Sequence, residues 1–261
     1  MIKVCALASG SNGNCYYIGN NHEGILIDAG ISRRKIVERM KARGINPAII
    51  KAGFITHEHQ DHYRGARVFG QKHGIPFYIS EQTLHRSYYT LRPPHIKTFT
   101  PGDEIQIGQF KVHSFLKKHD AAEPCSFRVQ TGNYNIGVFT DIGEPCENVK
   151  SHLSLCDFLF LESNYDDALL ASGRYPAFLK QRVAGEYGHL SNKQAVELIE
   201  NHASEKLKTI FLSHISEDNN RGDIALFAFE HLNDKYDIRL TSRYDATELM
   251  HLEDDTISLS L

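Results

Sequence analysis

A chain of 261 residues, 41% hydrophobic and 23% charged, is long enough to bury a sizeable core and has the composition of an ordinary globular protein. Its net charge of −3 and pI near 6.6 exclude a globally basic nucleic-acid binder, so such a partner would need a local basic surface or bound cations. The longest apolar runs, such as residues 158–161, are strand-sized and exclude a membrane span, and the N-terminal residues lack the pattern of a signal peptide. Cys5, Cys15, Cys125, Cys146 and Cys156 form no C-x-x-C pair, which points to reduced thiols in a cytoplasmic protein. No linker composition, repeat or low-complexity stretch divides the chain, so one domain over 1–261 is expected.

In chain order, residues 3–7 and 15–18 read as strands, and Asn20-Asn21 as a turn before the strand Gly24–Ile27. Ser32 caps a helix carrying Ile36, Val37 and Met40, which Gly44 stops. Residues 53–56 form a strand, and 62–73 a helix ended by Gly74 and Pro76. Further strands fall at 77–79, 105–107, 110–116, 127–131, 136–140, 158–161 and 209–212. Ser191 and Gln194 make a capping-box pattern, opening a helix with Ala195, Leu198, Ile199 and His202 on one face. Residues 224–232 form a last amphipathic helix. The class is α/β.

Five of these strands run directly, or within a few residues, into a potential metal ligand: Asp28, His57, His119, Asp141 and His214. A buried strand fixes the backbone while the side chain beyond it reaches an open crevice. The richest segment is His57-Glu58-His59-Gln60-Asp61-His62, where imidazole and carboxylate donors suit Zn, Mn or Fe. A strand-to-helix turn can splay the cluster, sending His57 and His59 to one ion and Asp61 and His62 to another. Either His113 or His119 could join them, and position beyond the strand rather than within it favours His119. Asp141 also fits a simple turn before Gly143, and His214 a satisfied core histidine; the rest of the set favours a metal site.

The H-x-H-x-D-H segment, with Asp28 before it and His119, Asp141 and His214 after it in order, resembles the metallo-β-lactamase superfamily over nearly the whole chain. The resemblance implies a four-layer αβ/βα sandwich. It implies that His57, His59 and His119 hold one divalent ion, that Asp61, His62 and His214 hold the other, and that Asp141 bridges them. Asp28 would orient the histidine loop. Zn or Mn is expected ahead of Fe. Two such ions would polarise an electrophile and generate a bridging hydroxide, with Asp61 orienting it or taking its proton.

The substrate must be read from the remaining residues. His189 precedes the helix that Ser191 caps, where free N–H groups favour a phosphate and an imidazole could protonate a leaving oxygen. The position partly resembles the Gly-His-Ser-Thr element of ribonuclease Z-type nucleases, with Leu190 interposed. His189 also fits a packing role near the cap. Arg174, Tyr175, Lys180 and Arg182 could supply phosphate contacts and base stacking, or simply a solvated helix face; Ser191 and Asn192 are further candidate contacts.

Ser9-Gly10-Ser11-Asn12-Gly13-Asn14, His119-Asp120-Ala121 with Glu123-Pro124, Glu162-Ser163-Asn164-Tyr165-Asp166, residues 173–182 and 188–192, and Ser213-His214-Ile215-Ser216 together make a closer resemblance. The set resembles that of small single-domain bacterial nucleases of the YycJ/WalJ type. It implies a 5′→3′ DNA exonuclease. The 73 positions from Asp141 to His214 leave no room for a β-CASP insertion. The alternatives are a glyoxalase-II-like thioesterase on the same metal set, a di-iron redox protein, and a non-catalytic regulatory module.

Overall fold

The computed structural model describes residues 1–252. Strands are numbered in chain order. The first sheet contains β1 (Ile2–Ala8), β2 (Cys15–Gly19), β3 (Gly24–Ile27), β4 (Ile50–Phe54), β5 (Phe77–Ser80) and β6 (Ile96–Phe99), with β14 (Met250–Leu252) beside β1. The second contains β7 (Glu104–Ile107), β8 (Phe110–Leu116), β9 (Cys125–Thr131), β10 (Tyr134–Phe139), β11 (Phe158–Glu162), β12 (Thr209–Ser213) and β13 (Asp237–Leu240). Both sheets are mixed: β3 to β6 run parallel, as do β10 to β13, and the remaining pairs are antiparallel.

The layering follows from period-two alternation in strands that are buried on both faces. Val4, Ala6, Ile25, Ile27, Phe158 and Phe160 point into one cluster between the sheets. Their neighbours Cys5, Leu7 and Leu26 face outward beneath α1 (Arg33–Ala42) and α3 (Ala66–His73), which contribute Ile36, Met40 and Phe69. Leu159 and Leu161 likewise face α5 (Glu147–Leu153) and α8 (Asn192–His202). Helices therefore cover both outer faces, giving the expected four-layer sandwich.

Three departures from the sequence reading have local causes. The helix expected over 62–73 is two, α2 (Gln60–Tyr63) and α3. Gly65 separates them because it packs against the loop after β3; a Cβ there would lie 2.0 Å from the Ile31 carbonyl oxygen. The helix expected over 224–232 is α9 (Gly222–Ala228) followed by a 3₁₀ turn at Glu230–Leu232. Strands β6, β13 and β14 lie partly exposed at or near sheet edges, so they lack the apolar runs that mark the central strands.

The same loop crosses the histidine segment at very close range. Gly30 donates to the Asn14 carbonyl at 2.7 Å, and a Cβ on it would meet the Asp61 carbonyl oxygen at 1.5 Å. Backbone cannot yield there as a flexible side chain would. Gly30→Ala is expected to cost at least about 3 kcal/mol, at the upper end for overpacking; urea denaturation measures it, and a wild-type midpoint would contradict the packing.

Candidate metal centre

The centre is assembled where the strands end. Asp28 follows β3, the histidine segment follows β4, His119 lies in the loop after β8, Asp141 follows β10, and His214 follows β12. Among the described residues, Asp28, Asp141 and His214 are the non-glycine residues with positive φ, at 61°, 54° and 54°. That backbone region is sterically costly for ordinary side chains and concentrates at functional sites.

Two triads adjoin. The ligand atoms of His57, His59 and His119 all lie within 4.8 Å of one another, as do those of Asp61, His62 and His214. Asp141 stands between them. Its Oδ2 is 3.2 Å from His62 Nε2, and its Oδ1 is 3.5 Å from His214 Nε2 and 3.8 Å from His119 Nε2. His57 Nε2 and His59 Nδ1 are 3.1 Å apart. For comparison, two nitrogens on a tetrahedral ion with bonds of 2.0–2.1 Å lie roughly 3.3 Å apart.

An outer ring of hydrogen bonds turns four of the imidazoles the same way, while His59 presents its Nδ1 to His57 Nε2. Thr56 Oγ1 donates to Asp28 and lies 2.9 Å from His57 Nδ1. His62 Nδ1 donates to Asp28 Oδ2 at 2.6 Å, His119 Nδ1 to the Gly188 carbonyl at 2.9 Å, and His214 Nδ1 to Glu162 Oε1 at 3.0 Å. With Nδ1 occupied, Nε2 is left to face inward. His119 Nε2, His214 Nε2 and Asp141 Oδ2 are buried without a well-formed hydrogen bond, their nearest polar neighbours being one another, His62 and, at 3.3 Å from His119 Nε2, Asp120 Oδ1. Buried polar atoms are rarely orphaned, and three converging ones form a donor set that fits divalent cations of the Zn or Mn kind.

The charges divide in the same pattern. Burial pulls His57 well below the usual imidazole range and His119 down to about 3, so both stay neutral. Burial also opposes charge on His62 and His214, but the carboxylates, Asp141 foremost, outweigh it. His214 rises to about 10 and His62 rises well above its usual value. Against burial, His214 and His62 hold Asp141 low, and the same two histidines hold Asp61 low. Protons thus stand where a divalent ion would otherwise balance the acids.

A family model described as a β-lactamase superfamily domain matches residues 23–215. The chain belongs to that superfamily. It is a metal-dependent hydrolase of the metallo-β-lactamase fold. It is 33% identical over 227 residues to exodeoxyribonuclease YycJ of Bacillus anthracis, covering 86% of each chain. It is equally identical over 230 residues to exodeoxyribonuclease WalJ of Streptococcus pneumoniae serotype 2, covering 85% of each. The metallo-β-lactamase fold protein YhfI of Bacillus subtilis superposes with a TM-score of 0.70 at 16% identity, over 94% of this chain and 98% of that one.

Within this metallo-β-lactamase fold, the residues expected at the centre come together, and several expected substrate contacts do not. His113 is engaged elsewhere, 3.0 Å from Glu104. Lys180 donates to the Ala171 carbonyl, Tyr175 to Asp218, and Arg182 is paired with Asp120. Arg174 is exposed. The basic-aromatic element of 174–182 is therefore largely spent on internal partners. Ser191 and Asn192 are 2% and 3% exposed: Ser191 caps α8, and Asn192 bonds to Ser163 and Asn220. Neither is open to substrate, because the turn into α8 is buried.

Glu162 has a larger part than the sequence reading gave it. Fully buried at the end of β11, it accepts through Oε1 from both His214 and His189, the latter at 2.8 Å, and through Oε2 from the Ile142 and Leu190 amides. Burial opposes its charge, yet His189 and His214 bring it down to about 2. Its sequence signal is the one shared by Asp28 and Asp141, a carboxylate directly after a buried apolar run. Asn14, which reaches His62 Nε2 at 3.1 Å, carries no comparable signal.

Asp28→Asn keeps a side chain tolerant of positive φ but replaces an acceptor facing His62 with an amide. Metal affinity is expected to fall about 10- to 100-fold, as for other outer hydrogen-bond partners of ligand histidines. Competition with a chromogenic chelator measures it; unchanged affinity would remove Asp28 from the centre.

Proposed function

We propose that this chain is a two-metal phosphodiesterase that shortens DNA from its 5′ end, as one cytoplasmic hydrolase domain without an inserted nuclease domain. The observation that carries the reading is the pair of triads sharing Asp141, with orphaned donors converging between them. The names of its relatives YycJ and WalJ, both exodeoxyribonucleases, support DNA as the substrate. Direction is taken from the resemblance of the motif set to that group.

In this reading His57, His59 and His119 hold one ion, Asp61, His62 and His214 the second, and Asp141 serves both. When bound, two such ions, Zn or Mn, supply a water acidic enough to ionise near neutral pH and positive charge for the phosphate oxygens. Asp61 is the most exposed carboxylate of the set, with 24% of its side chain accessible, and would orient the attacking water or take its proton. His189 is 23% accessible, and Glu162 holds its Nδ1. Its Nε2 has no polar partner among the described residues, which leaves it to donate a proton to the leaving oxygen.

The test is cleavage of end-labelled duplex DNA and of RNA with Mn or Zn, comparing wild type with His59→Ala. Stepwise release of nucleotides from the 5′ end, abolished in the variant, supports the proposal. Thioester hydrolysis with no attack on either nucleic acid overturns it.

A further inference from the structure

We infer that the surface formed by residues 64–97 is where single-stranded DNA leading away from the centre docks, its phosphates on arginines and its bases on Tyr88 and Tyr89. The inference rests on the DNA reading above and adds the place and manner of binding.

Charge is distributed unevenly along this chain. It carries −3 overall, yet residues 64–97 hold six cations, Arg64, Arg67, Lys72, Arg86, Arg92 and Lys97, against the single acid Glu81. Among the described residues, none of the six has a carboxylate within 4.0 Å. Arg182, Arg221, Arg239 and Arg243, by contrast, are each neutralised by an acid. Lys97 lies over the Tyr78 ring on the inter-sheet side and stands apart, whereas Arg67 and Arg92 flank Tyr89; unneutralised arginines there, on an acidic protein, suit a polyanion.

The aromatic component is equally specific. Tyr88 and Tyr89 are adjacent and 60% and 81% exposed, and what sets them apart from other exposed rings such as Phe178 and Phe227 is that they are paired and lie beside Arg92. They follow α4 (Glu81–Arg86) and lead into Pro93-Pro94. Arg92 lies over the Tyr89 ring at 5.6 Å and donates to Ser87 Oγ and the Leu84 carbonyl, and Arg67 donates to the Thr90 carbonyl, so these two arginines are partly spent on holding the segment in place. A cavity of about 410 Å³ opens between Arg67, Tyr89, Arg92 and the prolines. Flat rings beside arginines form a sequence-tolerant platform for unpaired bases. Arg64, two residues beyond His62, donates to the Asn12 carbonyl in the loop after β1, whose Asn14 reaches His62, so the start of this segment is tied to residues beside the centre.

The experiment measures binding and turnover separately in the metal-loaded protein. Binding is read by anisotropy of a hydrolysis-resistant phosphorothioate oligothymidylate across a salt series. Turnover is read on single-stranded DNA and on bis-p-nitrophenyl phosphate, which is too small to reach the surface. Tyr88→Ala/Tyr89→Ala is expected to weaken binding about ten-fold or more with the salt slope retained. Arg67→Gln/Arg86→Gln is expected to weaken binding and reduce the slope of log K against log salt by about 1.4, two phosphates at roughly 0.7 each. In both, KM for DNA rises while kcat and diester turnover hold.

Wild-type affinity and slope in both variants overturn the inference. So does a preference for an RNA oligomer of the same length that depends on the same residues. A wild type that hydrolyses neither DNA nor the small diester defeats the functional reading instead, and the anisotropy still decides the surface.

Discussion

Asp141→Asn is expected to lower kcat/KM by at least about 10³-fold, the loss that corresponds to several kcal/mol of metal-derived stabilisation. The substitution is close to isosteric, and asparagine tolerates the positive φ of 54° at this position. What changes is charge. Asp141 is the carboxylate that faces both triads, with oxygens 3.2 Å from His62, 3.5 Å from His214 and 3.8 Å from His119. Removing it leaves neither triad a shared anion, so bound metal should fall together with activity. Elemental analysis beside the kinetics checks this; full metal content with full activity would contradict a shared role.

The same charges set the pH behaviour of the metal-free protein. His214 is raised to about 10, so its contribution to stability is complete below the unfolded value, roughly 6.5, and is lost as pH rises towards 10. His119 is lowered to about 3, so burying it neutral favours folding above roughly pH 6.5 and progressively less as pH falls below it. The opposing shifts place the optimum of the centre near pH 6.5. After chelation, Tm is expected to fall on both sides of it. Added Zn or Mn, by displacing the proton from His214, should remove the alkaline loss; an alkaline limb indifferent to metal would contradict the assignment.

His189→Ala is expected to reduce kcat on DNA about 10²- to 10⁴-fold while bound metal stays at the wild-type level. The imidazole is oriented by buried Glu162 and stacks near His214, with ring centroids 5.3 Å apart. It therefore lies beside the centre, and its loss leaves the two triads intact. A leaving group that needs no proton separates this role from a packing role. With a p-nitrophenyl diester the defect should shrink towards unity, whereas a packing defect would slow both substrates alike.

The sequence by itself determined the class, the central strands and most of the centre. Both faces of those strands are buried, so their apolar runs are continuous, and Asp28, His57, Asp141 and His214 follow them directly or within a few residues. The capping of α8 by Ser191 and Gln194 was equally legible, because a cap is a local hydrogen-bond pattern. Only the tertiary structure decided what long-range contacts govern. It closed Ser191 and Asn192 into the interior, tied Lys180 to Ala171 and Arg182 to Asp120, and left the arginines of 64–97 without acids. It also brought Glu162 against His189 and His214, 27 and 52 residues away. Local propensity and periodicity are written within a few residues, but whether a cation meets an acid depends on which loop packs beside it, and that is a property of the folded chain.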